Sequence, residues 1–208
     1  MPEHRVVVLD LDGVVNWRIP AQKAGIPLIG KHDPRRYTTP VEIYQTQDVD
    51  LNGHISFKSV FSGTRHLMAP VFPDVAKLIK GLDDTTIYGS TGRPNEKPMV
   101  YATGHSLEFA GTLDKFDYIY FRPKGYTTTE AKVAALADIR RWWDDEQIEV
   151  VDDNPGDLLP MARTFPKIRR FNLIRDFTTN RLLKGIDLEK DFPNVKIART
   201  LREALTTN

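Results

Sequence analysis

An apolar run near the start of the chain, VVVL at 6–9, leads straight into two acids, Asp10 and Asp12, which are followed by Gly13. A run this rich in β-branched residues is typical of a strand that is covered on both faces of a parallel sheet. Carboxylates are costly at the end of a buried strand, and two of them so close together repel each other. The segment therefore predicts a buried strand whose carboxyl end carries a functional site.

Downstream of residue 70, short apolar runs alternate with helical patterns. The predicted strands are 85–89, 116–121, 148–153 and 168–174. The predicted helices are 73–82, 96–111, 128–143, 155–162 and 200–205, the last with Thr200 and Glu203 at the spacing of a capping box. Regular alternation of this kind predicts an α/β fold with a doubly wound, Rossmann-like parallel sheet.

The stretch from about 16 to 70 breaks this alternation. It is rich in proline and polar residues, and it contains two strand-like pieces joined around Asn52 and Gly53, a turn-forming pair. We interpret it as a small β-hairpin cap or flap inserted after the first strand. With 208 residues, the chain is then expected to form a single domain, 1–208, that carries this insert.

Composition excludes several classes of function. The net charge of +1 gives no overall electrostatic attraction to nucleic acid or membrane, although it leaves room for local basic patches, so charge alone names no partner. The absence of cysteine excludes disulfides and thiolate chemistry. The first residues do not form a signal peptide, and no apolar run approaches the 18 or so residues that a membrane span needs. We expect a cytoplasmic protein with no membrane partner, and nothing in the sequence indicates its oligomeric state.

A second group of acids, Asp152, Asp153 and Asp157, follows the strand predicted at 148–153. Ligands of doubly wound sheets bind at the carboxyl ends of the strands. If this strand lies beside the first, its carboxylates face Asp10 across a gap that Mg²⁺ would fill, because hard cations prefer oxygen ligands. The two acid clusters together predict a magnesium site.

Donor groups follow two other predicted elements. Ser90 and Thr91 end the strand 85–89, Gly92 lets the backbone approach closely, and Lys132 lies near the start of the helix that begins at Thr128. A hydroxyl and an ammonium are suitable donors to phosphoryl oxygens. These residues are therefore candidates for binding a phosphoryl group.

Two arginines are further candidates. Arg93 comes directly after Gly92, and Arg122 directly follows the strand predicted at 116–121. A guanidinium binds phosphate with two parallel hydrogen bonds, but it forms structural ion pairs equally well. Both roles stay open for both residues.

Four of these segments together resemble a known family. DLDGV at 10–14, STGR at 90–93, a lysine at the head of a helix and VVDDN at 150–154 have the order and spacing of the four motifs of the haloacid dehalogenase superfamily of phosphohydrolases. The resemblance spans about 5–165. In its details, from STGRP through YFRPKGYTTTEAK to VVDDNP, the chain is most similar to the phosphatase domain of polynucleotide kinase-phosphatase proteins.

The resemblance implies a role for each acid. Asp10 would attack phosphorus and form an aspartyl-phosphate, and Asp12 would protonate the leaving oxygen and later deprotonate the hydrolytic water. Asp153, with Asp152 as the nearby alternative, would hold Mg²⁺ together with the Asp10 carboxylate and the backbone carbonyl of Asp12.

The resemblance also implies roles for a hydroxyl and a lysine. Thr91 would bind a phosphoryl oxygen, and Lys132 would offset the charge of the transition state. Ser90 competes with Thr91 for the first role, and Lys124 competes with Lys132 for the second.

The leading hypothesis is therefore a Mg²⁺-dependent phosphomonoester hydrolase, with 3′-phosphates at polynucleotide ends as the leading substrate. The insert supports a polyanion, since it holds seven Lys and Arg (18, 23, 31, 35, 36, 58, 65) and four Asp and Glu (33, 42, 48, 50). Nucleotides or another small phosphoester are the alternative substrates. The alternative classes are a receiver-like signalling module and a non-catalytic phosphate-binding domain.

Overall fold

The computed structural model describes residues 4–16, 71–174 and 183–206. The predicted hairpin insert lies outside these ranges except for its first residue, Asn16. The strands are β1 (Arg5–Asp10), β2 (Thr85–Pro94), β3 (Tyr118–Arg122), β4 (Ile148–Asp152), β5 (Arg170–Ile174) and β6 (Val195–Ala198). The helices are α1 (Pro73–Lys80), α2 (Lys97–Phe109), α3 (Thr128–Ile139), α4 (Pro155–Thr164), α5 (Leu188–Asp191) and α6 (Leu201–Thr206), with 3-10 turns at Leu113–Lys115 and Asp145–Gln147.

The described strands form one parallel sheet in the order β3-β2-β1-β4-β5-β6. β1 is central, and it pairs with β2 on one side and with β4 on the other. The chain thus builds the sheet outwards in one direction, returns to the middle and continues outwards in the other direction. The predicted doubly wound, Rossmann-like α/β fold is confirmed, and the point where the strand order reverses lies between β1 and β4.

Helices cover both faces of the sheet because the side chains of β1 alternate. Val6 and Val8 pack with residues of α3 and α4, whereas Val7 and Leu9 pack with residues of α1, α2 and α6. All four valine and leucine side chains are at most 3% exposed. The apolar run at the start of the sequence is therefore buried on both sides, as predicted.

The structure differs from the sequence prediction at several ends. α3 stops at Ile139 instead of residue 143, because the chain tightens there into a turn in which the amides of Arg141 and Trp142 bond the carbonyls of Asp138 and Ile139. β2 continues to Pro94, with an irregularity in its pairing to β3. β6 and α5 were not predicted.

Of the two hydrogen bonds of the capping box predicted at α6, the one to the Thr200 hydroxyl is present. The Thr200 hydroxyl accepts a hydrogen bond from the Glu203 amide at 3.1 Å, as expected. The Glu203 carboxylate accepts from the amide of Arg199 at 2.8 Å, where the motif would have the amide of Thr200. A complete capping box forms instead at α3, where Thr127 and Glu130 each bond the other's backbone amide.

Within the described ranges, every helix is too short or too polar to cross a lipid bilayer.

Candidate active site

Acids from two neighbouring strands meet at the carboxyl edge of the sheet. Leu9 of β1 pairs with Val151 of β4, so the next residues, Asp10 and Asp152, end the two strands side by side. Asp153 follows directly. All three side chains are buried, and one carboxylate oxygen from each lies within 4.8 Å of the others. The two clusters separated by about 140 positions in sequence thus form one group.

Lys132 is inserted into this group from α3. Its Nζ lies 2.9 Å from Oδ1 of Asp10, 2.7 Å from Oδ2 of Asp152 and 3.5 Å from Oδ2 of Asp157. The lysine is only 3% exposed. Lys124, the competing candidate, lies exposed on the loop after β3. The structure therefore brings Lys132, and not Lys124, to the acids.

Burial and crowding perturb the titration of this cluster. Burial raises the pKa of Asp10 well above its ordinary value, Lys132 opposes that shift, and the neighbouring carboxylates, Asp152 first, reinforce it. The pKa of Asp152 is also raised, again by burial with Lys132 in opposition. Burial lowers the pKa of Lys132, but the surrounding carboxylates outweigh burial and leave that pKa well above its ordinary value. The single ammonium of Lys132 therefore does not fully compensate the burial and mutual repulsion of these carboxylates.

The donor set fits a hard divalent cation. Asp10, Asp152 and Asp153 each offer a carboxylate oxygen at mutual distances that one ion can span. Mg²⁺ binds carboxylates and keeps several waters, and its positive charge would offset both the burial and the repulsion between carboxylates that raise the pKa of Asp10. The residues present therefore suit the predicted cofactor.

Asp12 lies apart from Lys132 and is held by a different cation. Arg93 donates from Nη2 to Oδ1 of Asp12 at 2.7 Å and from Nε to both carboxylate oxygens, at 3.2 and 3.1 Å. The Thr91 hydroxyl donates to Oδ2 of Asp12 at 3.1 Å. The Asp12 side chain keeps 19% exposure, whereas that of Arg93 has 1%.

The two candidate hydroxyls lie on different sides of this site. Ser90 pairs with Asp10 across the β1–β2 ladder and lines a small cavity together with Asp10, Lys132 and Asp152. Thr91 donates its proton to Asp12 and accepts from the backbone amide of Arg93 at 3.2 Å. Ser90 is thus the hydroxyl beside the first acid, and Thr91 the hydroxyl beside the second.

Gly92 and Arg122 shape the loops around the site. A Cβ on Gly92 would lie 2.6 Å from Cγ2 and 2.8 Å from Oγ1 of Thr128, so the end of β2 packs against the start of α3 only without a side chain there. Arg122 donates from Nε to the Gly92 carbonyl at 2.8 Å and from Nη1 to the Tyr126 carbonyl at 2.9 Å. Arg122 thus links the end of β2 to the loop that leads into α3.

Asn154 organises the second acid cluster, a role that was not predicted from the sequence. Its amide donates to Asp152 at 2.8 Å, its side-chain nitrogen donates to Asp157 at 2.8 Å, and its side-chain oxygen caps α4 by accepting from Gly156. Thr129 of α3 also donates to Asp157. Asparagine before Pro155 is a helix-start pattern, so its capping role was readable from the sequence, whereas its contact with Asp157 was not.

The two described residues that flank 17–70 pair with each other, and Asn16 also pairs with Asp12. Asn16 bridges to Asp12 on one side and to Val71 on the other, and its side chain donates to Ser106 of α2 at 2.9 Å. Gly13, at φ +96, lets the chain turn between Asp12 and Asn16. Asn16 therefore lies beside the candidate active site, and Val71 lies beside Asn16.

Comparison with known proteins gives similarity of structure without similarity of sequence. No protein-family model and no curated protein matches the sequence. Among solved structures, a haloacid dehalogenase-like family hydrolase from Streptococcus pneumoniae matches with a TM-score of 0.52 and 17% identity, over 97% of this chain and 96% of that one.

Two further structures match less well. L-2-haloacid dehalogenase from Xanthobacter autotrophicus has a TM-score of 0.48 and 15% identity, over 88% of this chain and 84% of that one. A phosphoserine phosphatase has a TM-score of 0.44 and 15% identity, over 98% of both chains. The six-stranded sheet with its flanking helices is the fold of the haloacid dehalogenase-like hydrolase from Streptococcus pneumoniae.

Proposed function

We propose that this protein is a phosphomonoester hydrolase of the haloacid dehalogenase superfamily that works through an aspartyl-phosphate on Asp10. The observation that carries the proposal is the meeting of Asp10, Asp152 and Asp153 around one possible ion position, with Lys132 against Asp10. The fold shared with a haloacid dehalogenase-like hydrolase is consistent with it.

The chain's own residues supply the two chemical steps. In the first, the ionised Asp10 bonds through a carboxylate oxygen to phosphorus, the bond from phosphorus to the leaving oxygen breaks, and Asp12, which starts protonated, gives that oxygen its proton. In the second, a water oxygen bonds to phosphorus, Asp12 takes the proton from the water, and the bond from phosphorus to Asp10 breaks. Free phosphate leaves, and both acids return to their starting state.

Mg²⁺ is the proposed cofactor, held by Asp10, Asp152 and Asp153 with the Asp12 backbone carbonyl as the further expected ligand. When bound, it neutralises phosphoryl oxygens and draws electron density from phosphorus. Lys132 adds a fixed positive charge beside the attacking oxygen, at 2.9 Å from Asp10. It also keeps Asp10 ionised more readily than burial alone would allow.

The experiment is phosphate release from p-nitrophenyl phosphate with Mg²⁺ or with EDTA. The native chain and Asp114→Asn should turn over only with Mg²⁺, because Asp114 is an exposed acid in the turn before β3, at the edge of the sheet opposite to Asp10. Asp10→Asn should lose at least about a thousandfold, since the amide is a very poor nucleophile. Turnover without metal, or native turnover in Asp10→Asn, would overturn the proposal.

As substrate we propose 3′-phosphates at polynucleotide ends. The support is the similarity of the motifs to polynucleotide kinase-phosphatase proteins and the surplus of Lys and Arg, seven against four Asp and Glu, in the segment that follows Asn16, the residue paired with Asp12. An oligonucleotide 3′-phosphate should then show a KM that rises steeply with salt, because binding releases counterions. A mononucleotide preferred at every salt concentration would instead favour a nucleotidase.

A further inference from the structure

Arg93 has an unusual set of contacts for a residue at the end of a strand. Its guanidinium uses one edge, Nε and Nη2, for Asp12 and its remaining nitrogen, Nη1, for the Thr103 hydroxyl at 2.7 Å. The side chain is buried. All three guanidinium nitrogens are thus engaged by protein groups, which favours a structural contact over a contact with substrate.

The orientation of Thr103 is itself fixed. Its hydroxyl donates to the Met99 carbonyl, one turn earlier in α2, at 2.8 Å. A hydroxyl has a single proton, so the Thr103 oxygen can only accept from Arg93. Thr103 is fully buried on the face of α2 that packs on the sheet. Helix α2 therefore sets the direction from which the guanidinium reaches Asp12.

We propose that Arg93 and Thr103 are positioning residues that hold the Asp12 carboxylate in the plane and rotamer required for proton transfer to the leaving group. The inference rests on the proposed function and adds two residues to it, one of which, Thr103, lies on a helix that carries none of the reacting groups. Thr91 completes the arrangement, because its hydroxyl bonds the second carboxylate oxygen.

The physical reason is geometric. A carboxylate at the end of a loop is free to rotate about its side-chain bonds, and a proton donor displaced by about 1 Å can lose roughly a hundredfold in rate. The guanidinium is planar and permanently charged, so its two-nitrogen edge defines the plane of the carboxylate without competing as an acid. Lysine in its place would give a point charge without that plane.

The leaving group separates positioning from general damage. A p-nitrophenolate leaves with little help from a proton, whereas a phenolate or an alkoxide needs one, so a misplaced acid slows the poorer leaving groups more. The measurement is kcat/KM for p-nitrophenyl phosphate and phenyl phosphate, which differ little in shape, with kcat/KM reporting the step in which the leaving oxygen departs.

The variants are chosen to change one contact at a time. Thr103→Val removes the acceptor at nearly constant volume, Thr103→Ser keeps it, and Arg93→Lys keeps the charge but loses the planar edge. Thr112→Val is the matched control, because Thr112 is a fully buried threonine just beyond α2 whose hydroxyl bonds the Leu107 carbonyl.

The expected result is a change in the ratio of the two substrates. Thr103→Val should lower kcat/KM for phenyl phosphate by about tenfold, part of the roughly hundredfold or more that a positioned general acid contributes, and for p-nitrophenyl phosphate by about twofold or less. Arg93→Lys should show a larger difference in the same direction. Thr103→Ser and Thr112→Val should keep the native ratio.

The outcomes distinguish the two proposals. The positioning role would be overturned if a variant lost kcat/KM equally on both substrates, or if Arg93→Lys or Thr103→Val kept the native kcat/KM on both. Metal-dependent turnover by the native chain would still support the phosphatase. Absence of metal-dependent turnover in the native chain would overturn the phosphatase and, with it, this inference.

Discussion

Replacing Lys132 with methionine removes a positive charge from between three carboxylates while keeping a long, flexible side chain in place. The ammonium lies 2.9 Å from Asp10, 2.7 Å from Asp152 and 3.5 Å from Asp157. Removing one partner of a buried ion pair costs about 3–5 kcal/mol, because the remaining charge stays buried without compensation. With no divalent ion bound, Lys132→Met should lose a free energy of unfolding in this range at pH 8.

The loss should depend on pH, and the sign follows from the acids. In the native state the pKa values of Asp10 and Asp152 are raised above 3.8, and Lys132 is the main influence that opposes the rise. Without it both pKa values climb further, so the folded variant holds protons that the unfolded chain has released. Stability then falls with rising pH over a wider range, by about 1.4 kcal/mol for each additional unit of pKa.

Lysine ionisation does not complicate this comparison. The pKa of Lys132 is raised above 10.5, so its stabilising contribution is fully present below pH 10.5 and is lost only above that. The destabilisation caused by Lys132→Met should therefore be smaller near pH 4, where protonation of the folded Asp10 and Asp152 removes negative charge that the ammonium compensates, and should grow toward pH 8.

The assay is urea unfolding in EDTA at pH 4.5, 6 and 8, followed by the same series with Mg²⁺. Lys77→Met, a change at an exposed lysine of α1, is the matched control and should stay within about 0.5 kcal/mol of the native chain. Mg²⁺ should stabilise Lys132→Met more than the native chain, because the ion no longer competes with the ammonium. A loss below about 1 kcal/mol at pH 8, or one that does not change with pH, would refute the reasoning.

Three further predictions concern the same region. Gly92→Ala should destabilise the fold by about 1–3 kcal/mol through its clash with Thr128, measured by urea unfolding, and Thr128→Ala in the same chain should recover most of the loss; no recovery would place the cost elsewhere. Asp153→Asn should raise the Mg²⁺ concentration needed for half of the thermal stabilisation by roughly tenfold or more, because one anionic ligand is lost; an unchanged concentration would exclude Asp153 from the metal site. Thr91→Val should lower kcat/KM for phenyl phosphate more than Ser90→Ala does, because only Thr91 bonds Asp12 among these two; the reverse order would contradict this assignment.

The sequence predicted the central elements of the fold for a simple physical reason. β1 and β4 are short runs of β-branched residues with no competing helical period, and their burial on both sides leaves few alternatives. β6 was not predicted because its two middle residues, Lys196 and Ile197, are both exposed. Its four residues therefore follow neither a continuous nor an alternating apolar pattern. Strands of this kind are defined by pairing with a neighbour, which is not visible in the sequence.

The acids of the candidate site could be predicted from the sequence, but the side chains that contact those acids could not. Asp10 and Asp152 are the last residues of buried strands, and the order of the strands brings these ends together. Only the structure showed which lysine contacts the acids, because Lys124 lies just before α3 in sequence and Lys132 lies near its start. The contact between Arg93 and Thr103 also needed it, since ten residues and the turn from β2 into α2 separate them.

The repulsion between Asp10 and Asp12 is resolved by the end of β1 itself. Asp10 is the last residue of the strand, and its side chain lies on the side of Val8, where α3 brings Lys132. Asp12 comes after the strand has ended, and there it meets Arg93, which is anchored to α2 on the opposite layer. Each acid therefore has its own cation from a different face of the sheet, and Asp12 is the smallest of the influences that raise the pKa of Asp10. Two carboxylates separated in this way can carry different chemistry, because one is held beside a charge that favours attack and the other beside a planar clamp that fixes where its proton goes.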